Sequence, residues 1–210
     1  MAHVLEKKER RLGEKLFLKG DRCVGPKCAM VRRAYPPGVH GKSKRGGKRR
    51  GGSEYSGLLH AKQVVRFMYG LDDRGIARYS RQATQSPGIF SVNFLRRLEM
   101  RLDNVVFRLG FTDSRRAARQ LVGHGHIALN GKRVTIPSLE VKKGDVISFR
   151  ERSAALPVAT SRTERLKKLQ ISPWLSLNPE KKEGTILRLP EAEETGILAD
   201  MTKIKEFYSR

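Results

Sequence analysis

The chain has 210 residues and carries 44 Lys and Arg against 21 Asp and Glu, a formal charge of +23 at neutral pH. That much self-repulsion calls for a polyanionic partner, and nucleic acid fits because each phosphate met by Lys or Arg releases condensed counterions. No apolar run approaches 18 to 20 residues, which speaks against a membrane partner.

The first stretch, MAHVLEKKERR, places charges where a signal peptide needs its apolar segment, so a cytosolic protein is expected. Residues 1–52 hold 16 Lys or Arg and 4 Asp or Glu, and read as a basic N-terminal arm. Cys23 and Cys28 are the only cysteines, and a reducing compartment disfavours a disulfide between them. Pro36-Pro37-Gly38 interrupts regular structure. The run from Lys42 to Gly52 has no apolar side chain and cannot contribute to a core. Within it Lys42, Lys44, Arg45, Lys48, Arg49 and Arg50 are candidate RNA contacts.

Helical spacing begins after the arm. Leu58, Leu59, Val64, Val65, Phe67 and Met68 predict a helix near 55–69, and Ile76, Ala77, Tyr79 and Ala83 another near 73–85. Gln85-Ser86-Pro87-Gly88 reads as a linker, with a domain boundary near 90. The recurrence of Leu95, Leu98, Leu102, Val105, Val106 and Leu109 predicts one longer helix ended by Gly110, with Arg96, Arg97, Glu99 and Arg101 turned away from its packed face. Thr112 or Asp113 is the expected cap of the next helix, which packs Ala117, Ala118, Leu121 and Val122 and exposes Arg115, Arg116 and Arg119. Gly123 is its expected stop.

Ile127-Ala128-Leu129 and Lys132-Arg133-Val134 flank Asn130-Gly131, a strong signal for a tight hairpin turn. Val141 and Val146–Phe149 predict further strand. Residues 153–170 read as a linker with a short helix, and Trp174–Leu177 and Thr185–Leu189 as two more strands. The last twenty residues hold five acids and three bases, so this end is not an RNA arm.

The fold class expected is therefore α+β: a mostly helical N-terminal domain with a basic arm, then helices packed on a small antiparallel sheet. The boundaries read as 1–52 for the arm, 53–90 for a helical domain completed by residues 190–210, and 91–189 for the α+β domain. Arg115, Arg116 and Arg119 present three guanidinium forks from one helix, a geometry suited to phosphates. Gln120, His124, His126 and Asn130 lie just beyond and can reach sugar hydroxyls or base edges, with Lys132 and Arg133 on the hairpin beside them.

The stretch Arg101-Leu-Asp-Asn-Val-Val-Phe-Arg-Leu-Gly-Phe111, followed by Ser114-Arg-Arg-Ala-Ala-Arg-Gln-Leu-Val-Gly-His-Gly-His-Ile-Ala-Leu-Asn-Gly-Lys-Arg-Val134, closely resembles the RNA-binding module of the S4 family of bacterial small-subunit ribosomal proteins. The module would run from about 101 to 162. Tyr35-Pro36-Pro37-Gly38-Val39-His40-Gly41, Lys62-Gln63, Tyr69-Gly70, Pro173–Leu177 and the terminal Glu206-Phe207-Tyr208-Ser209-Arg210 extend the resemblance over nearly the whole chain. It implies a non-catalytic, ribosome-bound protein without a cofactor. Such a protein binds a junction in the five-prime domain of small-subunit ribosomal RNA early in assembly. It also lines the messenger entry channel, touches the fifth small-subunit protein at an interface that influences decoding accuracy, and in some bacteria represses its own messenger.

The same module occurs in RNA-modifying enzymes, and Arg101-Leu102-Asp103 resembles the surroundings of a pseudouridine synthase aspartate. Those enzymes follow it with a large catalytic domain, for which too little chain remains here. Gly41-Lys42-Ser43 resembles the end of a phosphate-binding loop, but Pro36 stands where its first glycine would fall. Cys23 and Cys28 match the second pair of a four-cysteine zinc site carried by some family members. The first pair is missing, and only His3 offers a third ligand, so no bound metal is expected.

Overall fold

The computed structural model describes residues 2–41, 53–154, 166, 170–191, 193–195 and 200–209. The chain divides into two compact units, one made of Met1–Phe90 with Leu198–Arg210 and the other of Ser91–Ile197.

In the first unit, α1 (Ala2–Leu12) is followed by a short 3-10 turn at Gly20–Cys23, α2 (Ala29–Arg32), and a second 3-10 turn at Val39–Gly41. The reading of residues 1–52 as an arm therefore needs correction over its described part, because residues 2–41 fold. Leu16, Cys23 and Cys28 are buried. The buried Glu9 carboxylate accepts the backbone N–H groups of Leu16 at 3.1 Å and Leu18 at 3.2 Å, and so shapes the loop after α1. Arg10 Nε donates to the carbonyls of Arg33 and Tyr35 at 2.9 and 3.0 Å, joining both ends of the segment. Net charge hid these few buried residues, since it counts charges without distinguishing the buried and paired from the exposed.

Helix α3 (Glu54–Met68) starts where the Ser53 side chain accepts the N–H of Ser56, and α4 (Asp73–Gln85) where Asp72 accepts the N–H of Gly75 at 2.7 Å. Their buried residues include Leu58, Val64 and Val65 on α3 and Ile76, Tyr79 and Ala83 on α4, the spacing read from the sequence. Helix α9 (Met201–Ser209) packs on both. The C-terminal segment belongs to this unit from residue 198, while 190–197 stays with the other.

The second unit opens with α5 (Phe90–Glu99) and α6 (Leu102–Arg108), which replace the single long helix expected. The break has a tertiary cause. Arg101 is extended and pairs as an isolated bridge with Glu140. The N–H groups of Leu102 and Asp103 go to the carbonyls of Leu139 and Pro137, and Val141 donates to Met100. Backbone groups that would close a helical turn are thus satisfied by a distant loop. Val141 consequently serves this junction and the core rather than a named strand.

Helix α7 (Arg115–Gly123) is capped by Ser114, whose side chain accepts from the N–H of Ala117, and not by Thr112 or Asp113. Among the described residues five antiparallel strands follow: β1 (Ile127–Leu129), β2 (Lys132–Val134), β3 (Val146–Phe149), β4 (Leu175–Asn178) and β5 (Glu183–Ile186), with α8 (Glu151–Ala154) after β3. Their order is β2-β1-β3-β5-β4. Asn130 and Gly131 both have positive φ, 50° and 78°, which is the two-residue hairpin turn the Asn-Gly pair predicts. Leu102, Val105, Val106, Leu109, Phe111, Val122, Ile127, Ile147 and Trp174 are among the core residues beneath the sheet. Gly184 on β5 touches Leu109 so closely that a Cβ there would overlap its side chain. The α+β class expected from the sequence holds.

Candidate RNA interface

Helix α7 has an apolar side, Ala118, Leu121 and Val122, buried in the core. Arg116, Arg119 and Gln120 are exposed on its other side. Arg115 differs: it is half-buried, its Nε donates to Asn104 Oδ1 at 2.7 Å, and its guanidinium lies 4.6 Å from the Phe107 ring centroid.

The end of α7 brings the next candidates together. The N–H of His126 reaches the carbonyl of Leu121 and that of Gly125 the carbonyl of Val122, with Gly125 at φ 74°. This is a Schellman stop, centred on Gly125 rather than on Gly123. His124 is the exposed C-cap. His126 is half-buried with Nδ1 3.0 Å from Ser153 Oγ, and the two imidazoles are 6.0 Å apart. Arg133, exposed on β2, folds over this stop: a Cβ placed on Gly125 would lie 2.5 Å from its Nε. Arg150, which the sequence reading missed, points Nη1 at the Gly125 carbonyl at 3.4 Å. Its signal was available only through pairing, since β3 lies beside β1 and Arg150 directly follows Phe149, the partner of Ile127.

Asn130 is exposed, but its amide is engaged inside the protein: Nδ2 donates to Asp145 Oδ1 and Oδ1 accepts the N–H of Val146, both at 2.8 Å. It ties the hairpin turn to β3. Lys132 is exposed on β2. Lys42, Lys44, Arg45, Lys48, Arg49 and Arg50 lie outside the described residues.

Two residues expected on an exposed helix face are buried. Glu99 and Arg101 are 0% and 2% exposed. Arg101 forms a paired contact with Asp103, Nε to Oδ1 at 3.0 Å and Nη2 to Oδ2 at 2.5 Å. Asp103 is thus engaged as the counterion of a buried arginine, a structural use of the motif that resembled a catalytic one.

The zinc centre of some S4-family members does not fit this chain. There are only two cysteines, both buried, and Cys23 Sγ accepts the N–H of Lys19 at 3.4 Å. Among the described residues no three of His, Cys, Asp or Glu are grouped to hold a metal ion. The His3 side chain lies outside the described residues. Among the described residues, too, no helix is long and apolar enough to cross a membrane.

A helix faced with arginine, and a basic hairpin that folds over its end from one edge of an antiparallel sheet, have the make-up of an RNA-binding module. Comparison with known proteins narrows the class. Residues 100–147 match the S4 domain, and residues 3–99 the Ribosomal protein S4/S9 N-terminal domain. The small ribosomal subunit protein uS4 of Thermus thermophilus is 46% identical over 201 residues, 96% of this chain and 94% of that protein. The uS4 protein of Syntrophomonas wolfei is also 46% identical over 201 residues, and that of Thermotoga maritima 45% over 202, with the same shares covered. The chain belongs to the uS4 family of small ribosomal subunit proteins, which is not a family of enzymes.

Proposed function

We propose that this protein is a structural constituent of the small ribosomal subunit, ribosome-bound in the cytoplasm, that holds ribosomal RNA through the face made by α7 and the β1–β2 hairpin. The observation that carries the reading is the gathering of Arg116, Arg119 and Arg133 around one helix and its stop, with Arg133 folded across Gly125. Guanidinium forks set on a rigid helix and hairpin suit phosphates on a folded RNA, whose shape and backbone such modules read. The total charge of +23 supplies the long-range attraction.

The finer reading follows the family. The RNA is a junction in the five-prime domain, bound early in assembly. Lys42, Lys44, Arg45, Lys48, Arg49 and Arg50 contact ribosomal RNA or messenger at the entry channel, and the fifth small-subunit protein is a neighbour through which accuracy is influenced. Six cations among nine residues, spaced by glycine, can follow an irregular phosphate path.

The test is binding to a five-prime-domain junction fragment across a salt series. Wild-type affinity should fall steeply with salt, and Arg116→Ala with Arg119→Ala should reduce the slope by about 2, one for each phosphate that is no longer neutralised. An unchanged slope in a folded double variant overturns the assignment. For the segment at 42–50, neutralising all six cations should slow subunit assembly or hamper passage through structured messenger. Wild-type assembly and translation would leave the segment without an RNA role.

A further inference from the structure

Behind the arginine face lies a chain of buried polar groups that begins on α5. The Glu99 side chain is fully buried, and its carboxylate receives Arg108 Nε at Oε2 and Arg108 Nη2 at Oε1, both at 2.9 Å. Oε2 also accepts Asn104 Nδ2 at 2.8 Å, and the same amide nitrogen donates to the Glu99 carbonyl at 3.0 Å. Both acceptors demand the nitrogen end of the Asn104 amide, so its orientation is set by chemistry. The oxygen end must then face α7. There it accepts Arg115 Nε at 2.7 Å, while the Phe107 ring lies 4.6 Å under the guanidinium.

An Nε hydrogen bond fixes the plane of a guanidinium, and a ring beneath it fixes the side from which it is approached. Arg116 sits on the same helix but is exposed. It can act as a charge on a long stem that loses rotamer freedom on binding, whereas a half-buried, oriented arginine has already lost it.

We infer that Glu99 and Asn104 are positioning residues for RNA: Glu99 orients the Asn104 amide, which holds the Arg115 guanidinium at one heading toward a phosphate oxygen. The inference rests on the reading of this face as the ribosomal RNA interface. It separates Arg115 from Arg116 by mechanism, Arg115 working through geometry and Arg116 through charge.

The experiment uses the full chain and the junction fragment, with affinity and salt slope measured together. Arg115→Lys keeps the charge, gives up the Nε bond and leaves α7 capped and packed. It should weaken binding about tenfold, the size of one well-aligned charge-assisted hydrogen bond, while the salt slope stays at the wild-type value. Arg116→Lys should remain within about twofold, since a point charge suffices there. Asn104→Ala should match Arg115→Lys in affinity and slope, and should add less than about twofold to Arg115→Ala, because groups acting through one another are not additive. A general packing defect would add in full to Arg115→Ala. Wild-type affinity for Arg115→Lys, or full additivity of Asn104→Ala, overturns the positioning role. If Arg116→Ala with Arg119→Ala also leaves the slope unchanged, it is the interface reading that fails instead.

Discussion

The Lys62 ammonium lies 4.8 Å from the ring centroid of Phe207, so a buried cation of α3 is covered by an aromatic side chain of α9. The same nitrogen meets Asp73 Oδ1 at 2.5 Å, at the start of α4, and Phe207 also packs 5.8 Å from the Tyr55 ring. One lysine thus joins three helices, and the C-terminal helix contributes the apolar lid.

Phe207→Ala should therefore destabilise the helical unit more than an exposed truncation would. Part of the cost is weaker packing and part the removal of the cation–π interaction over a desolvated lysine, together about 2 kcal/mol. Amide hydrogen exchange read at α3 checks it, and Phe207→Leu should recover the packing share only. Equal protection of α3 in wild type and Phe207→Ala would show that the lid contributes nothing.

Tyr208, next in sequence, gives a pH prediction. Its phenol is pushed up to about 12, first by burial and then by the nearby charge of Asp73. A folded value above the unfolded one means a contribution to stability that is complete below about pH 10 and fades as the pH rises toward about 12. Tyrosinate absorbance should show one phenol titrating in this late range and the alkaline loss of stability tracking it. Tyr208→Phe should remove both. Because Tyr208 Oη is buried with no hydrogen-bond partner among the described residues, that variant should be no less stable than wild type near neutral pH.

The buried pair of Arg101 and Asp103 answers a separate test. Their side chains are 2% and 6% exposed. Asp103→Asn removes the charge that faces a buried guanidinium and should cost about 3 to 5 kcal/mol in a denaturant melt. Replacing the pair together by Met and Leu should restore much of that, since the desolvation cost disappears with the charges. A melt in which Asp103→Asn is silent would mean that the pair is solvated in solution.

These residues also mark what was legible in the sequence. The hairpin at Asn130-Gly131 was readable because a two-residue turn with positive φ at both positions is a local demand. The apolar faces of α3, α4 and α7 were readable for the same reason. Glu99 and Arg101 were not. Helical spacing treats a charge as an exposed residue, whereas here each is buried against a partner, and the break between α5 and α6 depends on Arg101 pairing with Glu140, far along the chain. On the candidate RNA face, the arginines of α7 were visible as a row. That Arg115 is held from beneath and Arg133 folds over Gly125 required knowing which element lies beside which.

Gly125 tests the stop of α7 and the basic hairpin together. Its φ of 74° is a conformation that costs an L-residue about 1 to 2 kcal/mol, and an added Cβ would meet Arg133 Nε, Cζ and Nη2 at 2.5 to 3.0 Å. The guanidinium is the free-swinging end of a long side chain, so Gly125→Ala should be accommodated by moving Arg133 rather than by unfolding the hairpin. Two effects are then expected in one variant: a melt lowered by the backbone strain, and junction binding with a salt slope smaller by about 1 from the displaced guanidinium. Arg133→Ala separates them, because it should reproduce the change in slope without the loss of stability. If Gly125→Ala is destabilised but binds with the wild-type slope while Arg133→Ala does not, the guanidinium reaches its phosphate from more than one position. If both keep the wild-type slope, Arg133 covers the helix end without touching RNA.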